Sequence, residues 1–465
     1  MAIIRDRDLI DDPNDIPIPL IVSCIKEHQA GIARLNTLDE YYMGEHAILK
    51  RELGSDTGLP NNKLVANHAK YITDIAVGYV TGNPVKYEGK QIDDITEIYK
   101  HIDIVSHDAE LSKDLSIFGV GRELYFMTSD DNPIPKATVI DPRRLFLVVD
   151  DTVEYRSMFG VHYYQKRDIN NTAIGWKINV YTPDLILMYH GSNLSSFELV
   201  DIKSHYFGAV PVVEFWNNEE RQGDFEQQIS LIDAYNVLMS DRVNDKEQLV
   251  DAILKIKGMS LGDDEGQASK TIQLLKKYKV LEMPSSDADA DWLTKSLNET
   301  EVEVLRNAIK SDIHEFSMVP NLTDENFASN ASGVAMKYKL LGLEQLAKNK
   351  ERYFIQGLRE RLKLFANILK VKGKAADVSD VTITMTRNLP ANDLETAQMI
   401  SLLVSMVSNE TLISRLSFVN DAEEETDKVN LQKEEDVKRN QKAFGMQFGE
   451  DGDDDEEVTD DESAA

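Results

Sequence analysis

One cysteine, Cys24, stands among 465 residues, so no disulfide can close within the chain and no zinc site can rest on cysteine ligands. That fits a reducing compartment. Long apolar runs are missing too. Leu402-Leu-Val-Ser-Met-Val is typical of the longest, far short of the roughly 18 residues of a membrane span. The opening Met1-Ala-Ile-Ile-Arg-Asp-Arg-Asp carries charge where a signal peptide needs its apolar core. The expectation is a soluble intracellular chain with no membrane partner. Basic residues are scarce: 51 Lys and Arg face 81 Asp and Glu, a formal charge of −30. A protein that grips nucleic-acid phosphates needs clustered Lys and Arg, and this composition argues against one.

The motifs of common chemistry are absent as well. There is no GxxxxGK[ST] phosphate loop, and no GxGxxG follows a strand. His314-Glu315 lacks the second histidine of a zincin, and the nine histidines are scattered. Gly258-Met259-Ser260-Leu261-Gly262 matches the GxSxG nucleophile elbow and follows a candidate strand at 253–257. The elbow needs a helix starting at its serine, however, whereas Asp263-Asp264-Glu265-Gly266 makes a turn here. That acidic loop also lacks the EF-hand spacing for calcium. The sequence therefore points to no enzyme, no cofactor and no metal.

What is present is enough apolar material, 42% of residues, for about three units at roughly 150 residues each. Helical spacing runs over about 20–43, 62–80 and 92–118. Between 138 and 215 the period changes to two: Val153, Tyr155, Phe159, Val161 and Tyr163 alternate with polar or small residues. Further strands are expected at 145–149, 177–181, 185–189, 197–206 and 210–215. A helix of about 30 residues follows Gly223, yet between Ser240 and Gln248 its only apolar residue is Val243. A helix so polar either bridges solvent, is unstable alone, or packs sideways against copies of itself around a wet channel.

Residues 252–297 hold short strands at 253–257, 280–283 and 292–294 and a helix at 269–278. Asn298-Glu-Thr-Glu301 starts another helix, closed by Pro320. The Asn- and Ser-rich stretch 321–332 leads to Ser332 as N-cap of a helix over 333–372, with kinks expected at Gly342 and Gly357. A strand at 381–385 and a helix at 392–407 follow. Residues 421–465 carry 18 acids against 5 bases, and the last 16 residues hold ten acids and no base, which predicts a disordered tail.

Asn62-Lys-Leu-Val-Ala-Asn67 with Gly78-Tyr-Val-Thr-Gly-Asn-Pro-Val85, Val139-Ile-Asp-Pro-Arg-Arg144, Tyr206-Phe-Gly-Ala-Val-Pro-Val-Val-Glu-Phe-Trp-Asn-Asn218, Gly223-Asp-Phe-Glu226 through Leu231-Ile-Asp-Ala-Tyr-Asn236, and Ala331-Ser-Gly-Val-Ala-Met-Lys-Tyr338 occur in this order over about 20–419. Together they resemble portal proteins of tailed double-stranded-DNA bacteriophages, of the siphophage type. The resemblance implies an α+β, mainly α fold. An N-terminal arm and helix (1–60) would precede a β-rich wing (61–222), a stem helix (223–251), a small α/β clip (252–297) and a second stem helix (298–319). A tunnel loop (320–332), a long kinked helix (333–372), a helical crown (373–445) and an acidic tail (446–465) would complete it.

The function implied is a homo-oligomeric ring of about twelve copies at one capsid vertex. It would pass double-stranded DNA without sequence preference, inward during packaging and outward during ejection. An acidic wall repels phosphates and leaves water for the duplex to slide on. The candidate tunnel loop offers Asn321, Thr323, Asp324, Glu325, Asn326, Phe327, Ser329 and Asn330, with no Lys or Arg. Asp263, Asp264, Glu265, Lys276 and Lys277 of the clip would dock the terminase large subunit and, later, head–tail adaptor proteins. Asp241, Arg242, Asp245 and Lys246 would pack the stem between subunits. The wing would face the major capsid and scaffolding proteins. Such a protein would be found in the virion, and in the bacterial host cytoplasm during assembly. The competing expectation is a non-enzymatic soluble adaptor or scaffold whose polar helices bind partners; a hydrolase using Ser260 ranks behind both.

Overall fold

The chain opens with a short strand, β1 (Ile3–Arg5), and a 26-residue helix, α1 (Ile18–Met43). Helices α2 (His68–Thr81), α3 (Asp93–His101) and α4 (Ile104–Phe118) follow, with strand β2 (Lys86–Glu88) after the first. The strands β3 (Val120–Met127), β4 (Pro135–Val139), β5 (Leu145–Asp150), β6 (Ser157–Arg167), β7 (Ala173–Tyr181), β8 (Leu185–Asn193), β9 (Ser196–Ser204) and β10 (Val212–Trp216) come next. Beyond them lie α5 (Ile229–Val250), β11 (Ile253–Lys257), α6 (Glu265–Tyr278), β12 (Asp289–Leu293) and α7 (Glu299–Ser317). Last are α8 (Gly333–Lys339), α9 (Leu341–Val371), β13 (Thr382–Thr384), α10 (Asp393–Leu403), α11 (Asn409–Ile413) and α12 (Ala422–Gln447). This computed structural model describes residues 3–52, 60–129, 133–250, 253–257, 264–278, 289–293, 299–323, 333–388, 393–416, 419 and 422–447. The fold is mixed α and β with helix predominating.

The alternating stretch becomes a sheet ordered β1-β5-β6-β7-β8-β9, antiparallel except where β1 runs parallel to β5. Phe159, Val161 and Tyr163 of β6 point to one face and are buried there with Phe146, Val148, Ile178, Val180 and Leu187. The first half of α1 covers that face through Ile21, Cys24 and Ile25, while its second half, Leu35, Leu38 and Tyr41, enters a second core. One helix thus joins both cores. Val153 and Tyr155, expected to start the strand, lie in the turn before it. Asp150 Oδ1 accepts from the N–H groups of Thr152 and Arg156, and Tyr155 takes a φ of 47°. A carboxylate that caps the turn outcompetes alternation there.

The second core gathers α2, α3, α4, a three-stranded sheet ordered β10-β3-β4, and α9. The helix expected over 92–118 is two, because Asp103 adopts a φ of 50° between α3 and α4. β3 follows α4 at once through Gly119, at φ 81°, where a Cβ would overlap the Arg221 carbonyl. The helix expected over 333–372 breaks at Leu340, ahead of Gly342, and then runs unbroken through Gly357. Gly357 serves packing: a Cβ there would stand 2.3 Å from the Phe215 ring of β10.

Arg361 of α9 is buried against Asp108 of α4 (2.7 Å) and Glu123 of β3, and His107 Nε2 lies 2.7 Å from the same Glu123. Burial pushes the Glu123 carboxyl up, but Arg361 and His107 outweigh it and hold it down at about 2. β13 pairs with β2, Ile383 opposite Tyr87. Residues to Asn388 form one compact unit and those from Leu389 a second, in which Ser408 caps α11 by accepting the Thr411 N–H. The acidic tail beyond Gln447 and the Ser260 motif lie outside the described residues.

Candidate channel and docking elements

The polar helix α5 is explained by its neighbour in the same chain. Asn236, Ser240 and Asn244 recur every fourth residue and are buried. Burying such a stripe is costly unless every group is bonded. The extended segment 60–67 lies along it. The N–H of Asn62 donates to Asn244 Oδ1 (2.7 Å), that of Leu64 to Ser240 Oγ (2.9 Å) and that of Ala66 to Asn236 Oδ1 (2.8 Å). Alternate N–H groups of an extended chain repeat every ~6.6 Å and every fourth helical residue rises ~6 Å, so the two periods agree over three steps. Asn236 Nδ2 donates to His46 Nδ1 (2.8 Å), whose Nε2 donates to the Tyr41 carbonyl (2.9 Å). These bonds fix a neutral ring, and burial lowers its pKa in the same sense.

α7 returns antiparallel beside α5. Arg242 donates to Glu303 (3.0 Å) and lies 3.7 Å from Glu299, and Lys246 stands 3.1 Å from Glu299. Between the two helices the chain makes the β11–β12 hairpin, Ile253 opposite Leu293 and Lys257 opposite Asp289, with α6 between its strands. A helix pair joined by ion pairs thus brackets a small α/β module in the chain. Among the described residues no helix is long and apolar enough to cross a membrane.

The profile of phage portal proteins of the SPP1 Gp6-like type matches residues 22–439. The chain belongs to the phage portal protein family. Its function is that of a phage portal protein, a structural and non-enzymatic class. The portal protein of Bacillus phage SPP1 is 25% identical over 462 residues, 91% of this chain and 88% of that one. The portal protein of Clostridium phage phiCD119 is 30% identical over 224 residues, 47% of this chain; the match spans 48% of that protein, about half its length.

In this portal chain the four residues expected to pack the stem do not stand alone. Asp241 accepts from Arg51 (2.7 Å), Arg242 and Lys246 pair with α7, and Asp245 sits half-buried on the same helix. Past α7, Tyr71 O–H donates to the Pro320 carbonyl (3.2 Å) and its oxygen accepts the Leu322 N–H (2.9 Å). Thr323 Oγ1 donates to Asn321 Oδ1 (2.8 Å). The rest of the expected tunnel loop, Asp324, Glu325, Asn326, Phe327, Ser329 and Asn330, lies outside the described residues. Asp264 and Glu265 are exposed at the start of α6, where Asp264 accepts the Gln267 N–H (2.8 Å); Lys276 and Lys277 fall on its last turn, and Asp263 lies outside the described residues.

The segments that carry the family resemblance turn out to be pins. Tyr79 O–H donates to Glu344 Oε2 (2.9 Å), and Arg387 reaches both Glu344 (3.1 Å) and Glu351 (2.6 Å). The Pro142 carbonyl stands 2.9 Å from His28 Nε2 and accepts from Arg122. Asp224 accepts from Ser116, Asn217 and the buried Lys350. Gly223 packs on the Ile117 carbonyl, 2.3 Å from where a Cβ would stand. Apart from Asn217, seven residues from Asp224, these partners are distant in sequence, so only the motif, and not its use, was open to reading.

Proposed function

We propose that copies of this chain form a closed ring, about twelve-fold, at one capsid vertex, with α5 and α7 as the stem around a channel for double-stranded DNA. The observation that carries this is the family match across 22–439, joined to an antiparallel helix pair that brackets a small α/β module in the chain. The stem charges Asp241, Arg242, Asp245 and Lys246 stiffen each helix pair and line its packing against neighbours. The loop 320–332, without a single Lys or Arg, lets the duplex slide, because contacts to phosphate by cations bind tightly and salt-dependently.

The β11–α6–β12 module, with Asp263, Asp264, Glu265, Lys276 and Lys277, docks the terminase large subunit during packaging and head–tail adaptors afterwards. Residues 61–222 meet the major capsid and scaffolding proteins. The ring resides at the capsid vertex of the virion after assembly in the bacterial host cytoplasm. Native mass spectrometry with negative-stain imaging of the full chain tests this. A ring mass with a central hole is expected; a monomer that fails to close even with capsid and scaffolding proteins added would refute it.

A further inference from the structure

A cleft of about 1130 Å³ lies where β1, β5, β10 and α9 come together. Leu147 and Val149 of β5 alternate with Phe146 and Val148, so they turn away from the face that α1 covers. With Val210, Val212 and Leu364 they give the cleft an apolar lining. Along α9 the lining runs from Tyr353 to Asn367, which at 1.5 Å per residue is about 21 Å. An extended chain covers that length in about six residues at ~3.4 Å each.

Three carboxylates line the cleft, and each has a partner. Glu154 pairs with Arg156, Glu360 pairs with Lys363 (2.6 Å), and Glu214 accepts from Arg122 Nε (3.1 Å) and Trp216 Nε1 (3.1 Å). Arg221 is the cation left over. Its guanidinium stacks on Trp216, 4.1 Å from the ring centroid, and its Nε stands 3.6 Å from Glu214 Oε1, beyond hydrogen-bond reach. No acceptor among the described residues bonds that guanidinium, and the side chain keeps 17% of its surface exposed in a residue that lines the cleft. Glu219 and Glu220, its neighbours in sequence, are exposed and lie outside the lining. The backbone beneath is held: Arg221 takes a φ of 57°, and its carbonyl accepts from Arg34 Nη2 (3.0 Å). The Trp216 ring lies 6.0 Å from that of Tyr353, so Arg221 marks the Tyr353 end of the cleft.

We propose that this cleft takes the C-terminal end of a partner protein as an extended segment, its terminal carboxylate on Arg221 and its alternate apolar side chains on the lining. The planar guanidinium fork matches a carboxylate with two parallel hydrogen bonds. A cation at the end of the apolar run, rather than beside it, suits a group at the end of a chain. The length suits a peptide, and a free anion would leave the aliphatic lining wet. A largely apolar cleft with a few placed polar groups is the usual form of a ligand site. The ring is not needed for this inference, which stands or falls without it.

The test uses the full chain and two N-terminally labelled hexapeptides, Ser-Val-Ser-Val-Ser-Val with a free terminal carboxylate or with a terminal amide. Fluorescence anisotropy on wild type should show the acid binding roughly tenfold or more tightly than the amide. Arg221→Gln should abolish that preference and Arg221→Lys should keep it, with thermal melts of both variants checking the fold. The contrast between acid and amide on wild type needs no variant at all. A wild type that binds neither peptide overturns the cleft as a peptide site. Equal binding of acid and amide, or a preference that survives Arg221→Gln, overturns the role of Arg221. Hexanoate that competes as well as the acid peptide would make this a site for small carboxylic acids and overturn the partner.

Discussion

Asn244 accepts both the backbone N–H of Asn62 (2.7 Å) and its side-chain N–H (2.9 Å) through one oxygen, across 182 positions of sequence. The same oxygen therefore ends the ladder that fastens 60–67 to α5. Asn244→Ala leaves that half-buried donor without its partner, a loss of about 1 kcal/mol. Asn244→Asp keeps the acceptor and should recover most of it. Urea unfolding of both variants measures the difference; equal losses would show that the oxygen is not what matters.

Arg361 neutralises two carboxylates that water cannot reach. Arg361→Met strands Asp108 and Glu123 together and should cost about 3–5 kcal/mol. Replacing all three, with Asp108→Asn and Glu123→Gln added, should restore part of the stability, since no buried charge is left. A triple variant no better than the single would contradict this account.

Gly357→Ala sets two effects against each other. Alanine favours a helix interior by about 1 kcal/mol over glycine. Its methyl group, however, would sit 2.3 Å from the Phe215 ring, and forced overpacking costs about 1–3 kcal/mol. Net destabilisation is expected, and Phe215→Leu in the same chain should relieve it. Paired thermal melts decide the matter.

His68 gives stability a dependence on acidity. Burial lowers its pKa from 6.5 to about 4, with the neighbouring His314 acting in the same direction, their ring centroids 5.7 Å apart. The folded state keeps His68 neutral while the unfolded chain takes up a proton near pH 6.5. The unfolded state then binds more protons, so the contribution is complete above pH 6.5 and is lost as pH falls toward 4. Lys310 and His46 add to the positive field, and no carboxylate is among the groups shifting His68. His68→Phe should flatten the melting temperature between pH 7 and 5; an unchanged slope would assign it to other groups.

The ion pairs between α5 and α7 are partly exposed, so Arg242→Ala should lower stability by no more than about 1 kcal/mol. Melts at low and high salt should converge for this variant and for wild type.

Period, composition and motif order were enough for much of this protein. Alternation placed β5, β7 and β8 and the inner face of β6, because a half-buried strand has to show its burial every second residue. Helical spacing placed α1, α5 and α7. The order of weak motifs over most of the chain carried the family. Contacts decided the rest. The polarity of α5 left its packing open between solvent, instability and neighbouring copies, because nothing local reveals that the backbone of 60–67 will reach Asn236 and Asn244. Gly357 read as a kink because its partner, Phe215, lies far away in sequence. Val153 and Tyr155 kept the alternation but lost the strand to the Asp150 turn. Periodicity reports what a segment does against an average surface, whereas a buried polar stripe, a close packing at glycine and a shared charge depend on which distant residue arrives. Only the tertiary structure settles that.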